Sequence, residues 1–563
     1  MICKNCQKEF TIYPEDKTFY VKMDVPEPNK CPSCRAAQLK AFRNRRNLYA
    51  RKCDKTGKDI ISHFAPGTPF PVYEVKEWEG DGWDARTYGR DFDFSRTFFE
   101  QFKELLLVVP QPHAGVLADT VINSEYCNGV NHVKNCYLSF NASYTDDCHY
   151  CEVAYNSQSC IDCDVIHKCE LCYECLDCSG LYSCFWCDNC HNCRDCYFCQ
   201  ECTGCSDCFG CVELKNAKHC IFNKQYSEIE YSQKIKQLFN FNIDSIEEYK
   251  KQTHDIYLQK PHRFAHVIKT ENSSGDYIAN TKNCRTCFDI SEAENCAYMQ
   301  NVVNGVKDCM DICHWGQGAE LCYQGISVGQ NVYHLLFCHD CFSSCNFLYY
   351  CDNCYPNTSY CFGCVGLRRG KYCILNKQYT EEDYNKLVPR IIKHMKDTGE
   401  WGEFFPLALS LFGYNESTAI EYYPKTKEEV LALGGKWRDV LPGTFGKETI
   451  QPQDLPSNIV DVDDKILEQV LKCSTTGVNY RIIKEELAFY RRFGLPLPRK
   501  SPNQRHLERL HKRSPMSLYH RQCMCESTEH GHDGKCPVEF ETTYAPDRLE
   551  LVYCEECYRK EIY

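Results

Sequence analysis

The sequence has no run of apolar residues that approaches the length needed to cross a bilayer. It has no excess of positive charge either. Its 65 Lys and Arg stand against 77 Asp and Glu, a net charge of −12, which disfavours general attraction to nucleic acid. The opening residues, Met-Ile-Cys-Lys-Asn-Cys, lack the basic-then-apolar pattern of an export signal. These absences predict a soluble cytoplasmic protein with reduced thiols and no membrane contact. Paired carboxylates, a nucleophile motif and an open three-ligand zinc pattern are also missing, so no enzyme is expected. Leu433-Gly-Gly-Lys436 has no further glycine context and is not read as a phosphate loop.

Cysteine, by contrast, is far above ordinary usage: 46 in 563 residues, with 38 Tyr. Eight cysteines stand twelve residues apart: Cys136, Cys148, Cys160, Cys172, Cys184, Cys196, Cys208 and Cys220. In rows of twelve, nearly every third residue is Cys, small or apolar, and the columns between hold Asp, Asn, Glu, Lys and aromatics. A period of three is neither the 3.6 of an α-helix nor the 2 of a strand. A fixed repeat with stacked columns marks a solenoid. The spacing predicts a narrow β-solenoid with a sulfur-lined centre.

Four small inward side chains per coil bury too little apolar surface to offset the ordering of twelve residues. A staple is therefore expected, and in a reducing compartment that staple is metal rather than disulfide. The competing reading is that the cysteines are small buried hydrophobes. Expected ligands in this stretch are Cys148, Cys151, Cys160, Cys163, Cys169, Cys172, Cys175, Cys178, Cys184, Cys187, Cys190, Cys193, Cys196, Cys199, Cys202, Cys205, Cys208 and Cys211. Four sulfurs of one coil would be nearly coplanar, so some sites should share ligands between coils. Iron–sulfur clusters are the alternative, but the Cys-Pro ending of the bacterial ferredoxin run is missing, and several zinc ions per chain are expected. The coils are similar in repeat length to the beetle antifreeze proteins. Those carry a Thr-x-Thr ice face, whereas only Thr145 and Thr203 occur here, so that function is excluded.

The fold class expected is mainly β with helical connectors: two tandem narrow β-solenoids flanked by zinc-ribbon-like ends. Residues 1–120 hold an amino-terminal ribbon and a helix capped by Ser95. Residues 121–226 form the first solenoid, and 227–269 a helical linker opened by the capping box Ser227-x-x-Glu230. Residues 270–379 form a second, degenerate solenoid stepping by twelve or thirteen, with Val302, Ile326 and Leu335 inward. Its expected ligands are Cys284, Cys287, Cys338, Cys341, Cys351, Cys354, Cys361 and Cys364. Residues 380–470 are helical and 471–563 form a carboxy-terminal ribbon.

Two duplications are visible. Cys208-Phe-Gly-Cys211-Val-Glu-Leu214 and the following Asn223-Lys-Gln-Tyr226 recur as Cys361-Phe-Gly-Cys364-Val-Gly-Leu367 and Asn376-Lys-Gln-Tyr379. Phe10 to Arg35 also aligns with Tyr480 to Arg505 at a constant offset. Cys3, Cys6, Cys31 and Cys34 form two Cys-x-x-Cys pairs, a strong signal for a four-cysteine zinc site. In the carboxy-terminal copy Ser501 and Gln504 stand where Cys31 and Cys34 should be. That copy offers Cys523, Cys525, Cys554 and Cys557 instead, and at the other end Glu74 and Glu77 stand at the positions of the last pair. His530, His532 and Cys536 read as loop residues.

The terminal motifs, the Asn-Lys-Gln-Tyr boundary and the Cys-rich middle resemble an uncharacterised family of cysteine-rich, zinc-ribbon-type proteins predicted from genomes of uncultured ultra-small bacteria. The resemblance carries no activity with it. The function expected is a zinc-binding scaffold whose solenoids present a surface to another protein. The alternatives are a nucleic-acid or ribosome-associated factor acting through Arg43, Arg45, Arg46, Arg51, Arg505, Arg509, Lys512, Arg513 and Arg521, and metal storage or electron relay.

Overall fold

The computed structural model describes residues 1–562 other than 303, 314, 340 and 342. The architecture is mixed α/β, with twelve α-helices among the described residues and many short strands. Among the described residues no helix is long and apolar enough to cross a membrane.

Between Val121 and Ile221 each short strand pairs in parallel with chain twelve residues further on, as in Val133↔Thr145, Ala154↔Ile166 and Cys208↔Cys220. Bridges between the strands, such as His149↔Ile161 and Phe185↔Tyr197, keep the same step. Backbone hydrogen bonds alternate in direction: Tyr137 N–H donates forward to the Cys148 carbonyl at 3.2 Å, and Tyr150 N–H donates back to the Tyr137 carbonyl at 2.9 Å. Almost every third residue turns a corner at positive φ, for example Asn135, Asn141, Asp147, Asn156 and Asp162. Asn, Asp and Gly tolerate that region best, and they crowd these positions. Their side chains also form ladders: Asn135 donates to Asp147 at 2.9 Å. This corner chemistry is the physical basis of the period of three.

The second array repeats the pattern with steps of twelve and thirteen, as in Ile278↔Ile290 and Leu335↔Leu348. Val302 and Leu335 line its interior as expected, alongside Cys284, Cys309 and Cys361. Ile326 does not. It packs in an outer core with Tyr323, Phe337 and residues of the amino-terminal segment. Helices Glu228–Leu238 and Glu381–Asp397 follow the two arrays, capped by Ser227 and Thr380 as the sequence predicts. Helix Phe98–Leu106 is capped by Thr97 rather than Ser95, because Thr97 is three residues ahead of Glu100 and completes a capping box.

The terminal segments are more helical than a ribbon. Pro14–Lys22 and Pro32–Lys40 at one end correspond to Lys484–Phe493 and Pro502–Lys512 at the other. Each pair docks crosswise, onto the array farther from it in sequence. Tyr20 meets Tyr323 edge-on at 5.5 Å, and Tyr490 meets Tyr173 at 5.7 Å. The Tyr298 hydroxyl donates to Asp16 at 2.7 Å, and that of Tyr150 donates to Glu486 at 2.9 Å. The two halves thus repeat one interface with different residues.

Candidate metal centres

The amino-terminal centre starts from a tight reversal. Cys3 N–H donates to the Lys8 carbonyl at 2.9 Å and Gln7 N–H to the Cys3 carbonyl at 3.0 Å, with Gln7 at φ 59°. This brings Cys6 beside Cys3. Cys31 precedes helix Pro32–Lys40, and Cys34 lies in its first turn. The four sulfurs lie within 4.8 Å of one another, with Cys6 and Cys31 3.7 Å apart. The Cys31 N–H points at the Cys3 sulfur at 3.3 Å. A hydrogen bond from Cys34 pulls the Cys31 thiol down to about 5 despite its burial. The same bond, followed by burial, pushes Cys34 up. Four converging sulfurs are a donor set that a divalent cation would take as thiolates.

The carboxy-terminal centre is denser. Cys523, Cys536, Cys554 and Cys557 converge within 4.8 Å, all buried. Cys554 N–H points at the Cys523 sulfur at 3.2 Å, and Cys536 N–H donates to the Cys525 carbonyl at 2.8 Å. Of the expected ligands Cys523, Cys525, Cys554 and Cys557, three meet here with Cys536, and Cys525 belongs to the adjoining set. The insertion folds back on itself, so Cys525 turns away to a second set with His530, His532 and Cys557. Cys525 Sγ lies 3.1 Å from His530 Nδ1, and Cys557 Sγ lies 3.5 Å from His532 Nε2. His530 and His532 are thus ligand candidates rather than plain loop residues. The dense spacing Cys525-x4-His530-x-His532-x3-Cys536 was the signal for this.

Each end also keeps the frame of the site it lacks. Glu74 N–H points at Cys53 Sγ at 3.3 Å, as Cys554 does at Cys523. There Lys58 binds Glu74 at 2.7 Å and Lys55 binds Glu77 at 2.9 Å, so two ion pairs stand where the other end has thiols. Cys473 keeps the reversal of Cys3, with Cys473 N–H donating to the Val478 carbonyl at 2.9 Å.

The coil cysteines behave differently. All 46 cysteines are free thiols. Among the described residues the converging sets take no sulfur from either array. The ligand role expected of Cys148, Cys151, Cys160, Cys163, Cys169, Cys172, Cys175, Cys178, Cys184, Cys187, Cys190, Cys193, Cys196, Cys199, Cys202, Cys205, Cys208 and Cys211 is left as a proposal. The same holds for Cys284, Cys287, Cys338, Cys341, Cys351, Cys354, Cys361 and Cys364. They line the two interiors, fully buried. Each inward sulfur rests against carbonyls of its own coil and the next, as Cys190 does against Asp188 at 3.3 Å and Cys199 at 3.4 Å. Sulfurs also meet one another within and between coils, as Cys196 does with Cys184, Cys193, Cys199 and Cys208. Burial raises the Cys136 thiol to about 12 and that of Cys345 to about 11.

The Arg stretches are internal. Arg45 and Arg46 grip Glu152 at 2.8 and 3.1 Å. Arg509 binds Asp162 and Asp164 at 3.3 and 3.2 Å, and Arg513 binds Asp177 and Asp289 at 2.8 and 2.6 Å. These side chains are at most 9% exposed, so they are neither solvated nor turned outward. A fourth converging set, Glu201, Glu213 and His262, contains no thiol and was not foreseen from the sequence.

No family model, no curated protein and no solved structure matches the chain.

Proposed function

We propose that the chain is a metal-binding scaffold: two narrow β-solenoids clamped by terminal zinc modules, with the outer coil faces offered to a protein partner. The observation that carries this reading is the crosswise docking. Each terminal module has a converging cysteine set at one end and a helix pair that inserts buried charges into the distant array at the other. Metal at these sets would fix the clamps, and the clamps hold the arrays. Four thiolates suit zinc in a closed structural site. Support for a protein partner comes from Leu117, Ile122, Tyr126 and Tyr144, which lie 42–60% exposed along the first coils. The nucleic-acid reading loses support, because Arg45, Arg46, Arg505, Arg509 and Arg513 are paired inside. The kinship to the uncharacterised cysteine-rich family remains a proposal on the terminal motifs.

The test is native mass spectrometry with elemental analysis on reduced full-length protein. Zinc should be bound, and Cys34→Ser and Cys536→Ser should each remove one ion. Cys525→Ser should leave the four-thiolate ions in place. An unchanged metal count in Cys34→Ser and Cys536→Ser would overturn the reading.

A further inference from the structure

The set Glu201, Glu213 and His262 lies apart from both thiol centres. Glu201 and Glu213 are outward residues of successive coils at the end of the first array, and His262 belongs to strand Pro261–Arg263. His262 is fully buried. Its Nε2 lies 2.9 Å from the Tyr257 carbonyl, an acceptor only, so Nε2 carries the proton and Nδ1 keeps a lone pair. That lone pair faces Glu213 Oε1 at 3.7 Å and Glu201 Oε1 at 3.9 Å. Nδ1 and both Glu213 oxygens are buried with no hydrogen-bond partner. A lone pair and two carboxylates turned toward one point repel one another, and three unpaired buried acceptors are costly.

The duplication supplies a control. By the repeat alignment, Glu213 corresponds to Gly366 and Glu201 to Asn353. Strand pairing makes Gln111 the counterpart of His262, since Val72 pairs with Gln111 as Val552 pairs with His262. There Asn353 donates directly to Gln111 Oε1 at 2.9 Å. One half of the molecule closes this junction with a neutral amide contact. The other half places three ionisable acceptors there and leaves them 3.7–3.9 Å apart.

We propose that Glu201, Glu213 and His262 bind a divalent first-row transition ion at the junction of the first array and the carboxy-terminal module. One imidazole nitrogen and two carboxylates suit such an ion, and the Tyr257 carbonyl holds the imidazole from its far side as metal-bound histidines are held. His266 bonds Asp276 at 3.0 Å and lies 3.9 Å from Glu201, at the edge of the site. The ion would tie coils at 201 and 213 to the strand that pairs with Leu551–Tyr553, and so couple the first array to the segment leading into the thiol centre.

Cobalt(II) provides the test. It is loaded into the reduced full-length protein and the ions are counted by native mass spectrometry. Wild type should hold one ion more than Glu213→Gln and one more than Glu201→Asn/His262→Gln/Glu213→Gly, which copies the counterpart junction. The intense near-ultraviolet thiolate-to-cobalt absorption should be the same in all three. Anomalous scattering from crystals of the loaded wild type provides a second measurement, independent of how the variants fold. A peak among His262 Nδ1 and the two carboxylates supports the site. Equal ion counts in the three proteins, or no anomalous peak at this position, would overturn it.

Discussion

The guanidinium of Arg505 binds the carboxylate of Asp162 at 3.0 Å while lying 4.9 Å over the ring of Tyr150. Arg35 repeats the arrangement at the other end, bound to Asp311 at 2.9 Å and 5.1 Å over Tyr298. Both arginines stand at the same place in the duplicated helices, and both aspartates at the same corner of the duplicated coils. Arg505 does more, since it also reaches Glu486 at 3.3 Å and the Tyr490 hydroxyl at 3.1 Å.

Arg505→Met should destabilise the protein by about 3–5 kcal/mol, because it leaves Glu486 buried without its cation and Asp162 with Arg509 alone. Arg35→Met should cost less, with only Asp311 stranded. Hydrogen exchange should rise in Pro502–Lys512 for the first variant and in Pro32–Lys40 for the second. A loss below about 1 kcal/mol for Arg505→Met in chemical denaturation would contradict this role.

Glu174 gives the protein an acid-sensitive point. Burial pushes its carboxyl up, but Lys250 at 3.3 Å, with Lys512 and Arg509 nearby, outweighs burial and holds it at about 2. The ordinary value is 4.5. Folding therefore favours the carboxylate. The stabilisation is complete above about pH 4.5 and is lost as pH falls through 2. Glu174→Gln should be less stable than wild type at neutral pH, by at most about 3 kcal/mol, and the gap should close on acidification. Urea midpoints from pH 7 to pH 2 measure it.

The lowered thiol of Cys31 predicts selective chemistry in the metal-stripped protein. With its thiol at about 5 and only partly buried, Cys31 should be labelled by iodoacetamide at pH 6.5 before Cys34, whose thiol is pushed up. Peptide mapping after brief labelling reads the order. Added zinc should protect both.

Gly204 sits at a coil corner with φ 67°, where a Cβ would come within 2.3 Å of the Asn216 side chain. Gly204→Ala should cost about 1–2 kcal/mol from the left-handed backbone alone, with the clash added. A drop in melting temperature without any change in metal content is the expected result. Gly57→Ala, at φ 72° but in open space, separates the backbone cost from the clash.

Spacing made the coils legible. Cysteines at a step of twelve report the step because a parallel ladder stacks identical positions, and Cys196↔Cys208 is that step in hydrogen bonds. The recurrence of Asn-Lys-Gln-Tyr and of the terminal helices was likewise open to reading, since a copied segment refolds alike. The amino-terminal thiol set followed for the same reason: its ligands sit in two short local reversals. What spacing did not carry was convergence. Whether four sulfurs close on one point depends on where neighbouring backbone lies, as the sets at the two ends show.

The chain's own order therefore determined the repeat, the duplications and the local turns, all of which arise from contacts between residues a dozen positions apart or fewer, or from copying. Only the tertiary structure decided that Cys536 joins Cys523, Cys554 and Cys557, that the arginines are spent on internal carboxylates, that each terminal helix pair docks on the far array, and that His262 meets Glu201 and Glu213. Those pairings join residues tens to hundreds of positions apart. Nothing in local periodicity encodes them, because they are set by which buried surfaces fit when the two halves close on each other.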